Sequence, residues 1–462
     1  MKRLSSHDAG FLYAERSNMP MHVGGLHLYN YPEGADQDWL REQLTLSTAP
    51  VVYPFNQKLH WPLSRGGLPH WVEEDDIDLE YHIRHYSVPK PGRYREMFAL
   101  VSSLHSTPTH RDRPLWEAHI MEGVDKNRFA IYFKLHHALA DGGAAVKILQ
   151  NSLSEDPEKR GMLPPWANPM PRRAKAKSAG GSSLVALSAV AEQVQTQVGA
   201  IPGVLKGLKK YYDGIRRGEL DGIVAPFQAP ASMLNQRISQ SRRFVAQAYS
   251  LTRIKTLAKQ YDATLNDIVM AITASALRRY LLEHNALPEQ ALTALVPVSV
   301  RPADSDDYGN AVSLVIASLA TNELDPIERL RKIQRSMKEG KELVASMTQS
   351  EIMLYSTLMS LPIGLPMLLG MSSQTLRPPF NVTISNVPGP RKPLYWNGAE
   401  LQGHYPVSIV TNGVALNITV TSYVDQMEFG IVACRKTVPG MQRLIDYLDE
   451  ALMELEAGAG KG

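Results

Sequence analysis

The sequence predicts an α/β protein with two α/β regions joined by a polar linker. In the first 155 residues, short strand-like and helix-like stretches alternate, and residues 128–150 fit a strand followed by a helix. A second series of such patterns begins near Ser232. Alternating strand and helix patterns are typical of α/β folds. We therefore expect a first domain at 1–155, a linker at 156–231 and a second domain at 232–462.

The linker is marked by a change in composition. Residues 155–181 contain several prolines, then a run of Arg and Lys, then Gly180-Gly181, as expected for a solvated loop. Residues 183–201 return to the apolar spacing of a helix, and residues 204–217 mix Val and Leu with Lys and Arg. This basic amphipathic stretch fits either a helix on an anionic membrane surface or a solvated helix between domains.

Helix and strand signals recur in the second region. Thr264-Leu265-Asn266-Asp267 has the capping-box pattern, which predicts the start of a helix. Residues 295–301 and 311–320 have the composition of strands. Residues 414–421 alternate apolar and polar side chains, which predicts a half-buried strand.

Residues 352–371 contain no charged side chain over a length that reaches a membrane span. Pro362 and Pro366 would break a spanning helix twice and leave backbone groups without partners in lipid, so we predict no span. A buried, broken helix and a pocket for a long aliphatic chain both remain open, since Met and Leu suit either. The residues that we expect to line such a substrate tunnel are Met353, Leu354, Leu358 and Met359.

Composition narrows the function classes. The chain has 462 residues, of which 44% are hydrophobic, and 49 Lys+Arg against 46 Asp+Glu give a formal net charge of +3. This is enough apolar material for a sizeable core, and nothing in the charge calls for a nucleic-acid partner. Cys434 is the single cysteine, which excludes a disulfide scaffold and a CxxC metal site. The first residues lack the apolar segment of a secretory signal, so we expect a cytoplasmic protein.

The strongest chemical signal is the sequence KLHHALADGG at 134–143. If the preceding strand continues to its end, His137 follows Leu135 on the apolar side, and His136 lies on the opposite side with Lys134. We therefore expect His137 in the interior, where burial favours the neutral imidazole. A neutral imidazole can take a proton from a hydroxyl group, so His137 is a candidate general base.

Each residue of this motif also has a plain structural interpretation. An isolated His137 would more often be a core histidine bonded to a carbonyl, but the neighbouring His136 and the following Asp-Gly-Gly favour catalysis. Asp141 fits either a helix N-cap or an ion pair with an arginine that holds the loop, and Gly142 lets a substrate approach the backbone. Because strand alternation points the two histidines apart, we predict no metal site. The sequence also lacks a GxSxG elbow, a Walker loop and a GxGxxG after a strand.

The motif at 136–142 is similar to the HHxxxDG motif of the CoA-dependent acyltransferase superfamily. Further blocks, ordered from residue 8 to about 390, resemble the bacterial wax ester synthase/diacylglycerol acyltransferase family. Ala140 stands where that family often has Val, and the plant DFGWG motif is missing. The blocks are Asp8-Ala9-Gly10-Phe11-Leu12-Tyr13 with Glu15, Met21-His22-Val23-Gly24-Gly25, Arg113-Pro114-Leu115-Trp116-Glu117, Asn266-Asp267, Pro297-Val298-Ser299-Val300-Arg301 and Ser385-Asn386-Val387-Pro388-Gly389-Pro390.

This resemblance implies two chloramphenicol-acetyltransferase-like α/β domains with a catalytic tunnel at their interface. It implies transfer of a fatty acyl group from acyl-CoA, as co-substrate, to a long-chain alcohol or to diacylglycerol, without a permanently bound cofactor. Asp141 and Arg301 are expected to form a structural ion pair, as in the superfamily. Asn266 is a candidate donor to the oxyanion, or a helix-cap residue only. The apolar product implies peripheral attachment to the inner membrane or to lipid inclusions.

Two other functions remain open at this stage. One is a carrier-protein-dependent condensation or polyketide-associated acyltransferase with the same base. The other is a lipid-binding protein that has the fold without catalysis, for which a histidine at 137 would not be required. The blocks near residues 8 and 21 favour the lipid family over the first alternative.

Overall fold

The computed structural model describes residues 2–4, 6–45, 49–61, 69–140, 142–169, 222, 224, 228–299, 312–348, 351–352, 355 and 378–459. The helices within these ranges are α1 Ser6–Ala14, α2 Gln37–Thr45, α3 Leu79–His82, α4 Tyr94–Ser106, α5 Gly142–Asn151, α6 Leu251–Gln260, α7 Leu265–Glu283, α8 Pro326–Ala345 and α9 Arg443–Ala459. The strands are β1 Lys2–Arg3, β2 His22–Asn30, β3 Gln57–His60, β4 His70–Glu73, β5 Ile83–Ser87, β6 Trp116–Val124, β7 Arg128–His136, β8 Arg242–Ser250, β9 Thr293–Ser299, β10 Val312–Ser318, β11 Val382–Val387, β12 Tyr395–Trp396, β13 Ala399–Val407, β14 Leu416–Tyr423 and β15 Gln426–Cys434.

Two six-stranded sheets dominate the fold and confirm the predicted α/β class. Sheet A has the order β12-β13-β2-β7-β6-β5, and sheet B has the order β10-β9-β11-β14-β15-β8. A small third sheet has the strand order β1-β4-β3. Both large sheets are mixed, because β5 is parallel to β6 and β11 is parallel to both β9 and β14.

Sheet A takes strands from both of the predicted domains. β13 pairs antiparallel with β2, and His404 lies opposite His27. β2 pairs in turn with β7, and His22 lies opposite His136. The segment around residue 404 therefore belongs to the sheet that carries the histidine motif, although the two segments are far apart in sequence.

Helix α7 begins where the capping-box pattern predicts. The Thr264 side chain accepts a hydrogen bond from the Asp267 amide, and the Asp267 side chain accepts one from the Thr264 amide. The residues from Ile268 to Leu277 are all buried, and α7 packs against α6, α8 and α9. A helix that is buried on all faces is the centre of a core, and this one anchors the helical layer next to sheet B.

Strand β14 lies where an alternating strand was predicted, but both of its faces are buried. Asn417, Thr419 and Thr421 are at most 8% exposed, although they occupy the polar positions of the pattern. The Thr421 hydroxyl donates to the carbonyl of Val387 in β11, and Thr419 donates to the Asn417 side chain. The prediction of a half-buried strand was therefore wrong, because a central strand can bury hydroxyl and amide groups that find partners.

Among the helices that the structure describes, none is long and apolar enough to cross a membrane. The basic stretch at 204–217 and the four predicted tunnel residues Met353, Leu354, Leu358 and Met359 lie outside the described residues.

Candidate active site

Strand β7 delivers the two histidines to different environments. The strand ends at His136, and the chain then turns, with the Leu139 amide donating to the His136 carbonyl at 2.8 Å. His136 shares a face with Lys134, as predicted, but it is the fully buried histidine, whereas His137 is only partly buried. The expectation that His137 is the interior histidine was therefore wrong in detail, because strand alternation ends one residue before it.

His136 is held in one tautomer by its neighbours. Its Nδ1 accepts a hydrogen bond from the Ala138 amide at 3.1 Å, which assigns the ring proton to Nε2. Nε2 lies 3.5 Å from Oε1 of Glu15. The imidazole of His136 thus fixes the turn that follows the strand and joins it to the end of α1.

The ring of His137 lies face to face with the ring of Phe11. The two centroids are 4.0 Å apart, and the planes differ by 22°. The His137 amide also donates to the Met21 carbonyl at 2.8 Å. Side chain and backbone are thus both fixed, and the residue as a whole is only partly buried.

Glu15 joins the elements around both histidines. Its Oε1 accepts from the Met21 amide at 3.1 Å, and its Oε2 accepts from Arg111 Nε at 3.0 Å. Burial would raise the pKa of Glu15, but the bond to His136, the Met21 amide and the guanidinium of Arg111 lower it overall. An ionised Glu15 therefore ties α1 to the segment that holds the His137 amide.

A second buried carboxylate lies on the same face of sheet A as His136. Glu117 Oε2 is 2.7 Å from Lys134 Nζ and 3.1 Å from His119 Nε2, and all three side chains are nearly or fully buried. Burial would raise the pKa of Glu117, yet the hydrogen bond from His119 and the ammonium of Lys134 lower it to about 2. Glu117 of β6 and Lys134 of β7 thus form a buried structural ion pair between the two neighbouring strands.

Two further histidines next to this cluster are neutral. His22 Nε2 lies 2.9 Å from the carbonyl of His105, and burial lowers the pKa of His22 well below its usual value. His105 contacts the Tyr132 hydroxyl at 2.7 Å and the Ser408 carbonyl at 2.9 Å, and burial lowers its pKa to about 3. His22 thus connects β2 to α4, although its Nδ1 has no hydrogen-bonding partner among the described residues. His105 connects α4 to β7 and to Ser408, the residue after β13.

The opposite face of sheet A borders an apolar cavity. Its space, counting the part open to solvent, is about 1100 Å³. Val23 and Leu135 form the strand pair next to the His22–His136 pair, and both line the cavity. The wall residues include Val23, Gly25, His27, Tyr29, Ile120, Ile131, Phe133, Leu135, His404 and Pro406 from sheet A, Ala145, Ile148, Leu149 and Trp166 from α5 and the turn after it, and Val387, Thr419 and Thr421 from sheet B.

The remaining predicted site residues fall in two groups. Asn266 is a half-buried residue in the first turn of α7, where Thr264 and Asp267 make the capping contacts. Gly142 is the first residue of α5. Asp141 and Arg301 lie outside the described residues, so their predicted ion pair remains a prediction.

Phe11, Glu15 and Met21 are functional candidates to which sequence reasoning gave no role. They fall in blocks that carried the family resemblance, but their contacts with residues 136 and 137 span more than a hundred positions of sequence. In the described part of the chain, no group of three or more His, Cys, Asp or Glu side chains could hold a metal ion.

The chain matches a known protein family over most of its length. Residues 4–269 match the wax ester synthase/diacylglycerol acyltransferase catalytic domain, and residues 308–456 match the C-terminal domain of that family. The chain is 42% identical to O-acyltransferase WSD of Acinetobacter baylyi, covering 100% of this chain and 98% of the relative. It is 40% identical over the full length of both chains to a Mycobacterium bovis protein that carries the name of a diacylglycerol O-acyltransferase.

Two solved structures are similar to this chain in fold. The wax ester synthase/diacylglycerol acyltransferase from Marinobacter aquaeolei VT8 matches with a TM-score of 0.79 and 40% identity, covering 100% of both chains. The first condensation domain of the calcium-dependent antibiotic synthetase matches with a TM-score of 0.56 and 14% identity, covering 99% of this chain and 96% of the other. The second likeness concerns the fold alone, and it agrees with the predicted two-domain α/β architecture.

Proposed function

Because the chain belongs to the wax ester synthase/diacylglycerol acyltransferase family, we propose that it moves a long-chain fatty acyl group from acyl-CoA to a hydroxyl group. The acceptor is a long-chain alcohol, giving a wax ester, or diacylglycerol, giving triacylglycerol. The placement of His137 carries this proposal. His137 is only partly buried, its ring stacks on Phe11, its backbone amide donates to the Met21 carbonyl, and it follows the strand that forms part of the cavity wall.

His137 acts as the general base in this proposal. The imidazole takes the hydroxyl proton while the oxygen attacks the thioester carbonyl carbon. The carbon–sulfur bond then breaks, and the imidazolium returns the proton to the departing thiolate, giving an ester and CoA. A thioester is already activated, so no acyl-enzyme is needed, and the base contributes typically about 10² to 10⁴ in rate.

Negative charge that develops on the carbonyl oxygen needs a hydrogen-bond donor, and we assign this role to the Asn266 amide. Asn266 is half-buried at the amino end of α7, where the helix dipole also favours negative charge. The neighbouring Asp267 is committed to the capping box. Loss of one oxyanion donor typically costs about 10² to 10³ in rate.

The cavity beside sheet A suits a long aliphatic chain. Its walls are mainly Val, Leu, Ile and aromatic side chains, with few polar groups, as in pockets that bury most of an apolar ligand. It lies on the face of β7 that carries Leu135, two residues before the proposed base. One substrate chain in this cavity would therefore have its reactive end near His137.

The direct test uses the purified full-length protein with palmitoyl-CoA and either hexadecanol or diacylglycerol, with CoA release and ester formation measured together. His137→Ala should lower turnover by about 10² to 10⁴ while thermal unfolding stays unchanged. His110→Ala is a matched control, since that histidine side chain is 60% exposed. Near-normal turnover of His137→Ala would remove this residue from the mechanism.

The same assay separates the other two functions. A carrier-dependent condensation enzyme would use an acyl group on a carrier protein and leave palmitoyl-CoA unused. A lipid-binding protein would bind palmitoyl-CoA and release no CoA.

We also propose that the protein attaches peripherally to a membrane or lipid inclusion on the cytoplasmic side. The apolar product and the mix of Val and Leu with Lys and Arg at 204–217 support this proposal. Sedimentation with anionic vesicles, compared between wild type and a variant with Lys206, Lys209 and Lys210 changed to Gln, tests it. Equal sedimentation of the two proteins would contradict a role for this segment.

A further inference from the structure

A second pocket lies between helices α7, α8 and α9 and the turn that precedes α8. Its space, counting the part open to solvent, is about 630 Å³. The residues that line it differ from those that line the cavity beside sheet A, so the two are separate sites. Its wall includes three arginines, two leucines and a glutamate, which are Arg278, Arg279, Arg329, Leu282, Leu324 and Glu454.

Arg329 brings a buried positive charge to this wall. The residue is 3% exposed, and its guanidinium donates to the Ser275 hydroxyl and to the carbonyls of Glu323 and Leu324. These acceptors are uncharged, and the carboxylate of Glu323 binds Lys332 instead. Among the residues that the structure describes, no Asp or Glu forms an ion pair with Arg329. Buried charges in proteins are normally paired, so this arginine favours a nearby anion.

Arg278 adds a second positive charge beside Arg329. It is half-buried, and its Nη1 donates to the carbonyl of Thr321 at 2.6 Å. Burial and the charge of Arg278 lower the pKa of Arg329, because desolvation and a like charge both disfavour the protonated form. The third arginine, Arg279, is already paired with Glu450. Within the described part of the chain, two guanidinium groups therefore share the pocket without a bound carboxylate.

Glu454 carries the opposing charge in the wall. It is exposed on α9, and its carboxylate acts against burial and Arg278 on the pKa of Arg329. An exposed charge is screened by water and salt more than a buried one. Glu454 should therefore weaken the attraction of the pocket for an anion without cancelling it.

Exposed apolar side chains lie next to these charges. Leu324 is 77% exposed and Leu282 is 50% exposed, and both line the pocket. Met453, which is 56% exposed, directly precedes Glu454 on α9. Basic groups beside exposed apolar side chains match a ligand that has an anionic head and an apolar body.

We propose that this pocket binds the phosphate group of an anionic phospholipid, with Leu282 and Leu324 entering the lipid surface beside it. A phosphate accepts charge-assisted hydrogen bonds from guanidinium groups, which Arg278 and Arg329 can supply. The inference rests on the proposed peripheral attachment to a lipid surface. It depends neither on residues 204–217 nor on the proposed acyl transfer.

The test is sedimentation of the full-length protein with phosphatidylcholine vesicles, either alone or with one quarter phosphatidylglycerol. It is performed at low salt on the protein with Lys206, Lys209 and Lys210 changed to Gln, so that this segment does not mask the pocket. Arg278→Gln should lower the partition coefficient on the anionic vesicles about fivefold, the effect of one basic side chain near an anionic surface. Arg278→Lys should retain most of the binding, since it keeps the charge.

A change at Glu454 should have the opposite effect. Glu454→Gln removes the opposing charge and should raise the partition coefficient by a similar factor. Glu342→Gln removes an exposed carboxylate of α8 that does not line the pocket, and it should leave binding unchanged. Equal binding of Arg278→Gln, Glu454→Gln and the starting protein would overturn the proposal.

A variant of Leu324 distinguishes a lipid from a soluble phosphate. Leu324→Gln should lower vesicle binding about tenfold, because a leucine side chain no longer enters the apolar phase. Titration with inorganic phosphate and with CoA is the parallel arm. If Arg278→Gln lost the binding of either soluble anion while Arg278→Gln and Leu324→Gln both kept normal vesicle binding, the pocket would be a site for a soluble anion and the lipid proposal would be wrong.

The failures of the separate proposals are distinguishable. If the wild type did not sediment with anionic vesicles, both this proposal and peripheral attachment would be wrong. If it sedimented and all the pocket variants matched the starting protein, only this proposal would fail. Turnover of palmitoyl-CoA and hexadecanol in detergent solution reports acyl transfer separately, and it should be unchanged in these variants, since none alters the candidate active site.

Discussion

The ring of Phe11 stacks on the imidazole of His137 with 4.0 Å between their centroids. This contact joins the first helix of the chain to the proposed base. The same helix leads to Glu15, whose amide donates to the Phe11 carbonyl at 3.0 Å and whose carboxylate bonds to the Met21 amide. Since the Met21 carbonyl accepts from the His137 amide, helix α1 holds both the ring and the backbone of His137.

Phe11→Leu should therefore lower kcat more than it lowers stability. Stacked aromatic pairs contribute about 0.5 to 1.5 kcal/mol beyond their buried area, so a misplaced imidazole should cost up to roughly tenfold in kcat. The measurement is steady-state turnover with palmitoyl-CoA and hexadecanol, alongside thermal unfolding. Phe11→Tyr keeps the ring and is the matched control. If Phe11→Leu and Phe11→Tyr had the same kcat, stacking would have no part in positioning His137.

Glu117 and Lys134 should behave as a buried ion pair. Glu117→Gln leaves the Lys134 ammonium without a counter-charge in the protein interior, which typically costs about 3 to 5 kcal/mol of unfolding free energy. The double variant Glu117→Gln/Lys134→Met should recover most of this loss. Urea unfolding of the wild type, both single variants and the double variant gives the coupling energy.

The ion pair between Glu117 and Lys134 should also make the unfolding free energy depend on pH under acidic conditions. The pKa of Glu117 is about 2 in the folded protein against a usual 4.5, so its stabilisation is present above about pH 4.5 and is lost as pH falls through 2. The Glu117→Gln/Lys134→Met variant should lose less stability than the wild type over that range. An equal loss in both proteins would contradict the assignment.

Substitutions at Asn266 and at Thr264 should distinguish a role in catalysis from a role in helix capping. Asn266→Ala should lower kcat by about 10² to 10³ with little change in stability, because it removes the proposed oxyanion donor. Thr264→Ala, the matched control in the same turn, should cost about 0.5 to 2 kcal/mol of stability and leave kcat unchanged. Unchanged kcat in Asn266→Ala would disprove the oxyanion role.

Local features of this fold were predictable from sequence, and long-range ones were not. The start of α7 depends on Thr264 and Asp267, three residues apart, and the pattern contained the whole cap. The depth of the two histidines depends on where β7 stops, and alternation gives no sign of a strand's last residue. The pairing of His27 with His404 joins opposite ends of the chain, and no periodicity in either segment specifies a partner.

In the candidate site, too, local features were predictable from sequence and long-range contacts were not. The histidine motif could be recognised from sequence, because its residues are consecutive. Glu15 could not be assigned to His136 from sequence, since the contact between the two side chains exists only after α1 folds back onto the end of β7. The sequence left a pocket and a broken core helix both open at residues 352–371, and the predicted lining residues there lie outside the described part of the chain. The cavity that the structure describes includes walls from strands with ordinary alternating patterns, which do not distinguish a packed core from a lined pocket.

Glu428 should make the fold less stable as pH rises. It lies fully buried in β15, and burial raises its pKa to about 8, although the His404 amide donates to its Oε2 at 2.7 Å. The folded protein thus holds this proton more tightly than the unfolded chain, whose carboxyl titrates near 4.5. Its contribution to stability is fully present below about pH 4.5 and is lost as pH rises to 8.

Glu428→Gln keeps an oxygen for the His404 amide but cannot ionise. Relative to the wild type, this variant should gain up to about 1.4 kcal/mol of unfolding free energy per pH unit within that window. Urea unfolding at pH 5, 6, 7 and 8 measures the difference. Glu342→Gln, at an exposed position of α8, should run parallel to the wild type. A constant offset between Glu428→Gln and the wild type at all four pH values would mean that Glu428 does not titrate in this range, because only a change in bound protons gives a pH-dependent difference.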